Sequence, residues 1–239
     1  SMETNLENIY AYIDANARNF VETLIQLVRQ PSVSAKGEGI QECAELVERL
    51  MQEVGLKTRI IKPVEGNPVV YGEIKHGKSQ KTLLFYDHYD VQPPDPIEQW
   101  ISGPFSGEIR EGKIYGRGAS DNKGNLVSRL KAIEAFLKTI GNVPVNVKFV
   151  VDGEEEIGSP HLKQIIESNK ELFSANAVIW EFGGTNRKGN PCLYLGLKGI
   201  LSVELHVEGA VKDVHSANAP LVTNPTSVSY THLTLPTKA

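Results

Sequence analysis

Three short segments of this 239-residue chain carry most of its chemistry. They are Tyr86-Asp87-His88-Tyr89-Asp90, Gly118-Ala119-Ser120-Asp121-Asn122 and Asp152-Gly153-Glu154-Glu155-Glu156. Each stands where a strand-like run ends. Together they offer one imidazole and several carboxylates, the nitrogen and oxygen donors that suit zinc or a similar divalent cation. Two such cations about 3.5–4 Å apart, bridged by a carboxylate, are a common device for hydrolysing amides and esters.

Taken singly, each segment has two readings. His88 and Asp90 share a face of an extended segment, so Asp90 can accept from the imidazole and fix its tautomer, as behind a metal-bound histidine. The alternative is a polar turn before Pro93-Pro94. Asp121 follows a glycine-rich turn and precedes a helix, and alone it reads best as an N-cap. Glu154, Glu155 and Glu156 are either a solvated acidic run or a set of carboxylates whose mutual repulsion a cation relieves. In the second case one glutamate binds metal and its neighbour is the general base, taking a proton from water that zinc has acidified to a pKa near ~7. Glu181 ends another apolar run ahead of Phe182-Gly183-Gly184 and stands evenly between metal ligand and surface residue. His215, in Asp213-Val214-His215-Ser216-Ala217, is followed by small residues that allow close approach to a substrate, although a bland loop histidine is the simpler reading. His76, His161 and His206 read as solvated, with His161 in the first turn of a helix.

The elements that must position these groups follow from periodicity. Apolar residues keep a helical period from Leu6 to Val28, stopped by Pro31, and again from Ile40 to Val54, closed by Gly55 at a C-cap. Strands are expected over residues 57–61, 69–74, 82–86 and 177–180, and the nearly continuous apolar run 145–151 reads as a strand covered on both faces. Residues 92–107, with four prolines, read as a long ordered loop of functional kind. A helix follows Asp121. A second starts at Ser159-Pro160, N-cap and first helical position, with Leu162, Ile165 and Ile166 inward. Strand-then-helix alternation predicts an α/β layered sheet. From Leu201 to Glu208 apolar residues occupy only odd positions, which suits a sheet with one wet face and a second domain.

Composition excludes rather than assigns. With 25 Lys and Arg against 29 Asp and Glu, the net charge of −4 gives no basic footprint for nucleic acid or acidic lipid. No run of about 18 apolar residues and no charged-then-apolar leader is present, which predicts a cytoplasmic protein without membrane partners. Cys43 and Cys192 form no metal-binding pattern and are expected as buried free thiols. Ser1 ahead of Met2 reads as a remnant of cloning.

In order, these segments resemble the dinuclear zinc metallopeptidases, a family that includes carnosine dipeptidases, glutamate carboxypeptidases, aminoacylases, acetylornithine deacetylases and succinyl-diaminopimelate desuccinylases. The stretches that carry the resemblance are 83–93, Gly116-Arg117-Gly118-Ala119-Ser120-Asp121-Asn122-Lys123-Gly124, Glu154-Glu155-Glu156-Ile157-Gly158-Ser159, Leu195-Gly196-Leu197-Lys198-Gly199 and Asp213-Val214-His215-Ser216. The resemblance implies a zinc-peptidase catalytic domain, begun by residues 1–196, and an α+β lid and dimerisation domain, begun by 197–225. It implies two divalent metals, zinc first, with manganese or cobalt as substitutes. His88, Asp121 and Glu181 would hold one metal, and the bridging Asp121 with Glu156 the other. Asp90 would orient His88, Glu155 would be the general base, and the Asp121–Asn122 bond would be cis. His215 would reach the active site of a partner subunit in a homodimer. The substrate would be a small peptide or N-acyl amino acid; the stretch from His88 to Pro93 is similar to dipeptidases, while Glu181 in place of Asp leans toward deacylases or carboxypeptidases.

The chain departs from the family in being shorter and in lacking a late metal-binding histidine. Residues 226–239 have no family character and read as a frameshift or cloning read-through. The competing expectation is therefore a catalytically silent fragment or homologue that keeps the fold for binding or assembly.

Overall fold

A computed structural model describes residues 2–181, 183–196, 199–201, 203–204 and 206. Helix α1 (Met2–Arg29) ends just before Pro31, which has no N–H to continue the ladder and restricts the residue before it. Helix α2 (Ile40–Val54) turns Ile40, Cys43, Ala44, Val47, Leu50, Met51 and Val54 inward on its helical period. It stops at Gly55, whose φ of +106° suits glycine and lets its N–H reach the Gln52 carbonyl.

The chain then lays down β1 (Lys57–Ile61), β2 (Val69–Ile74) and β3 (Thr82–His88), and the hairpin β4 (Glu108–Arg110) and β5 (Lys113–Tyr115). Helix α3 (Lys123–Ile140), β6 (Asn146–Asp152), the short helices α4 (Leu162–Ser168) and α5 (Lys170–Phe173), and β7 (Ala177–Ile179) follow. Among the described residues, β8 (Gly184–Thr185) and β9 (Pro191–Cys192) close the list as a second small hairpin.

The main sheet has the order β1-β2-β6-β3-β7. β1, β2 and β6 are antiparallel neighbours, while β3 runs parallel to both β6 and β7. Its two faces are covered by different helices. Val147, Phe149 and Val151 of β6 pack with α2 and α3, and Val150 packs with Tyr71, Leu84, Tyr86 and Ile165 toward α4 and α5. That two-sided burial is why β6 reads as a continuous apolar run. The compact unit runs from Ser1 to Leu193, and the residues from Tyr194 on form a unit of their own. Half of the run Leu201–Glu208, all of Asp213–Ala217 and the tail 226–239 lie outside the described residues.

Four local expectations change. The helix expected from Ser159 starts at Leu162, with His161 as N-cap. Ser159 is unsuited to capping, since its φ is +49° and its hydroxyl donates to Asp152 Oδ2 at 2.6 Å. Of the three inward residues expected there, Ile165 is buried, Leu162 packs at the core edge, and Ile166 is exposed. Cys43 is a buried thiol, but Cys192 is only partly covered. His161 is not simply solvated, because its ring meets the buried carboxylate of Glu154. The β4–β5 hairpin has no sequence-level counterpart. Its two-residue turn, Glu111 at φ +50° and Gly112 at φ +72°, has the left-handed geometry of a tight hairpin but puts Glu where Asn or Asp is usual.

One buried charge ties the helices together. The Lys123 side chain, at the start of α3, is fully buried, and its Nζ donates to the carbonyls of Leu27 at 3.0 Å and Gln30 at 2.7 Å. An ammonium at the C-terminal end of α1 satisfies carbonyls that the helix leaves without partners. Burial pulls its pKa down, opposed by Cys43 and Asp90.

Candidate metal centre

Because β3, β6 and β7 are parallel, their carboxyl ends open on one edge of the sheet, where open α/β sheets place ligands. His88 is the last residue of β3. The turn after β6 delivers Glu155 and Glu156, and Glu181 follows β7 by two residues. Asp121 arrives on the segment before α3. Asn122, not Asp121, takes the N-cap position, which leaves the Asp121 carboxylate free to lie 3.0 Å from His88 Nε2. The Asp121–Asn122 peptide bond is cis.

Asp90 is the junction of the site. It is fully buried, and its Oδ1 lies 3.3 Å from His88 Nδ1. The same oxygen accepts the Glu155 N–H, and Oδ2 accepts the Glu156 N–H, each at 3.1 Å. The Asp90 carbonyl also faces His88 Nδ1 at 3.0 Å. With Nδ1 occupied in this way, Nε2 is the ring atom left for a metal.

Nε2 faces carboxylates on all sides. Asp121 Oδ1 is at 3.0 Å, Glu181 Oε2 at 3.5 Å and Glu155 Oε2 at 3.7 Å. One donor atom from each of His88, Glu155 and Glu181 lies within 4.8 Å of the other two. Glu181 Oε2 is buried and has no hydrogen-bond partner. A buried carboxylate oxygen without a hydrogen-bond partner beside an imidazole nitrogen suits a cation ligand, and the mixed nitrogen and oxygen donors fit zinc or a similar ion. Glu156 is turned to Gln92, whose Nε2 donates to its carboxylate at 2.9 Å and to its carbonyl at 3.1 Å. Gln92 carried no signal of its own in the sequence.

The electrostatics agree with the geometry. Burial opposes a charged His88, but Asp90, Glu181 and Glu155 outweigh it and push its pKa up to about 10. Burial raises Glu181 to about 7 against the pull of His88. It also raises Glu155, again opposed by His88, and Glu156, opposed by the Gln92 hydrogen bond. Carboxylates crowded around one imidazole repel one another, and positive charge among them relieves that repulsion.

Other side chains hold the frame. The Arg129 guanidinium donates to Asp87 Oδ1 at 2.6 Å and to the carbonyls of Tyr86 and Trp180, and so fastens β3 to the end of β7. Burial lifts Asp87 to about 7, against Arg129. Asn122 and Asn125 both donate to the Glu181 carbonyl. The Tyr86 ring stacks on Trp180 with centroids 3.9 Å apart. The structure thus gathers His88, Asp90, Asp121, Glu155 and Glu181 around one edge, with Glu156 adjacent; His215 falls outside the described residues.

Comparison with known proteins places the chain in a family. Residues 84–233 match the model of peptidase family M20/M25/M40. Over 230 residues the chain is 32% identical to the Cys-Gly metallodipeptidase dug1 of Schizosaccharomyces pombe, covering 90% of this chain and 48% of that protein. It is 29% identical to the human Beta-Ala-His dipeptidase, covering 88% of this chain and 45% of that protein. Among solved structures, the M20 family metallo-carboxypeptidase Sso-CP2 of Sulfolobus solfataricus matches with a TM-score of 0.71 and 44% identity over 86% of this chain and 47% of that one. The chain spans about half the length of the relatives it matches. A matched segment that takes in β3, Asp121, the acidic turn and Glu181 covers every described residue of the centre, and the chain belongs to peptidase family M20/M25/M40.

Proposed function

We propose that this chain carries the first half of a metal-dependent hydrolase that cuts the amide bond of dipeptides or N-acyl amino acids. The observation that carries the reading is His88, braced by Asp90 on one nitrogen and ringed by Asp121, Glu155 and Glu181 on the other. Two divalent ions, zinc first, are the cofactors of this reading. His88, Asp121 and Glu181 hold one, and Asp121 with Glu156 contributes to the other. When bound, such ions supply the positive charge that polarises a scissile carbonyl and acidifies water.

The residues do the rest. Asp90 keeps the His88 proton on Nδ1. Glu155, whose raised pKa brings it closer to neutrality, accepts a proton from the attacking water on its carboxylate and returns it to the leaving amine. Asn122 and Asn125 hold Glu181 through its carbonyl. His215 serves the oxyanion from a partner subunit, residues 197–225 begin the lid and dimerisation domain, and the whole protein is a cytoplasmic homodimer. The names of two relatives, a Cys-Gly metallodipeptidase and a Beta-Ala-His dipeptidase, support dipeptides as substrates, and the expected preference is for small substrates with a free carboxylate. Among the described residues no helix is long and apolar enough to cross a membrane.

The half-length match favours a second reading for this chain alone. Asp121 and Glu156 are too few ligands for a four-coordinate site, so the chain by itself holds at most one zinc firmly and turns over negligibly. Elemental analysis of gel-filtered protein, with an assay of the same fractions, tests this, and two zincs with turnover would overturn it. A version carried on to the length of its relatives, offered a panel of dipeptides and N-acyl amino acids, tests the hydrolase; action on long peptides alone would sink the substrate class.

A further inference from the structure

The three adjacent glutamates do not share one environment. Glu155 faces His88 and Glu156 is turned to Gln92 beside the centre, but the Glu154 side chain is 4% exposed and turns the other way. Its Oε1 accepts the N–H of Asn67 at 2.9 Å. Its Oε2 accepts the N–H of His161 at 3.3 Å, and the His161 ring nitrogen Nδ1 lies 3.0 Å from Oε2 and 3.1 Å from Oε1. The Glu154 carbonyl takes the N–H of Ile157 at 3.1 Å and of Ser159 at 2.8 Å.

Three separate segments therefore meet on one buried carboxylate: the loop before β2, the acidic turn after β6 and the start of α4. The loop is fixed at further points. Asn67 Nδ2 donates to the Gly153 carbonyl at 2.8 Å, and the Tyr89 hydroxyl to the Pro68 carbonyl at 2.7 Å. Gly66, at φ +96°, leaves the only room: a Cβ there would stand 2.3 Å from His161 Nδ1 and 2.5 Å from Glu154 Oε1. A buried carboxylate with this many donors is costly to disturb and holds its surroundings firmly.

We propose that Glu154 is a positioning residue: its carboxylate, clasped by His161 and the Asn67 backbone, fixes the turn that carries Glu155 and Glu156 into the metal centre. The inference rests on the metal-centre reading above for what the turn presents, but not for how the turn is held. Asp90 grips the turn from the site side through the amides of Glu155 and Glu156, and Glu154 grips it from behind.

The test is amide hydrogen exchange by NMR on the intact chain, with zinc affinity measured against a chromophoric chelator. Glu154→Ala should speed exchange at the amides of Glu155 and Glu156 by about tenfold or more, while Val150 and Val151 of β6 stay as in the parent. Zinc affinity should fall by about tenfold, as for other residues that support ligands, and that loss should vanish when Glu155 and Glu156 are both replaced by Gln. Glu154→Gln, which keeps an oxygen for the Asn67 N–H, should restore most of both. His161→Ala, at a ring that is 29% exposed, is the gentler arm and decides the matter if Glu154→Ala does not fold. Unchanged exchange at Glu155 and Glu156, or acceleration spread equally through β6, would overturn the proposal. If the double Gln background alone binds zinc as the parent does, the ligand assignment of Glu156 falls instead, and the exchange result still decides the role of Glu154.

Discussion

The metal centre is built from two unequal halves. On one side, β3 and β6 are paired along their full lengths, and buried groups anchor the site there: Asp90 holds His88 and the acidic turn, and Glu154 stands behind it. On the other side, β7 is three residues long and pairs with β3 alone, with Val178 54% and Trp180 46% exposed. Glu181, which β7 delivers, keeps one carboxylate oxygen without a partner. The first half is shaped before any ligand arrives. The second half has its backbone pinned through Arg129, Asn122 and Asn125. A long, fully paired strand couple and a short, half-exposed strand thus meet at the same sheet edge.

The sharpest cut at this contrast is on the ordered side. In a protein of full family length, Glu155→Gln should lower kcat by about 10²–10⁴-fold with metal content near wild type, whereas Glu156→Gln should lose metal. Kinetics and elemental analysis on the same preparations check this, and the opposite pattern would exchange the two roles. Next in size is stability. Phe149 of β6 is fully buried, so Phe149→Ala should cost about 3–5 kcal/mol in denaturant unfolding. Val178→Ala on β7, at a half-exposed side chain, should stay within about 0.5 kcal/mol. Comparable losses at both positions would mean that β7 is as firmly built as β6.

Acidity separates the halves in another way. Zinc must displace the proton from His88, with its pKa near 10, at all neutral pH values, and from Glu181 only below about 7. Affinity should therefore rise about tenfold per pH unit above 7 and more steeply with pH below it, where a second proton is displaced. Chelator competition from pH 6 to 8 reads the slope. Without metal the sign runs the other way. Both groups bind protons more tightly folded than unfolded, so the His88 contribution is full below its ordinary 6.5 and lost as pH rises through about 10, and that of Glu181 is lost between 4.5 and about 7. Metal-free protein should grow less stable across pH 5 to 8, as thermal melts in chelator would show. Asp90→Asn keeps volume but loses an accepting oxygen: zinc affinity should drop by about 10–100-fold, with the protein still folded. A larger loss from Asn125→Ala, on the β7 side, would reverse the assignment of which half is preorganised.

The same contrast explains what the sequence could tell. Helix α2, with its apolar stripe and Gly55, and β6, apolar on both faces, were legible because burial and capping are written locally. His88 and Asp90 were legible because residues two apart in an extended segment share a face, although β3 itself ends at His88. Glu154 was not: three adjacent glutamates look alike until Asn67 and His161, distant by sequence, decide which is anchor and which is open to the site. Ser159 misled for the same reason, its hydroxyl being claimed by Asp152 rather than by a helix end. The β4–β5 hairpin escaped because Glu111 adopts a left-handed conformation that its side chain does not advertise.

Lys123 sets where this chain can be divided. Its buried ammonium closes the carbonyl end of the first helix from the first residue of the third, one position after the cis bond at Asp121–Asn122. Removing residues 1–30 would strand that charge in the core at a cost of several kcal/mol, next to the segment that presents Asp121. The leading helix is thus no detachable extension: a split for reassembly from two pieces, or an insertion, belongs at the exposed stretch near Ile97–Gly103, and a deletion series from the amino end should lose the metal centre together with the helix.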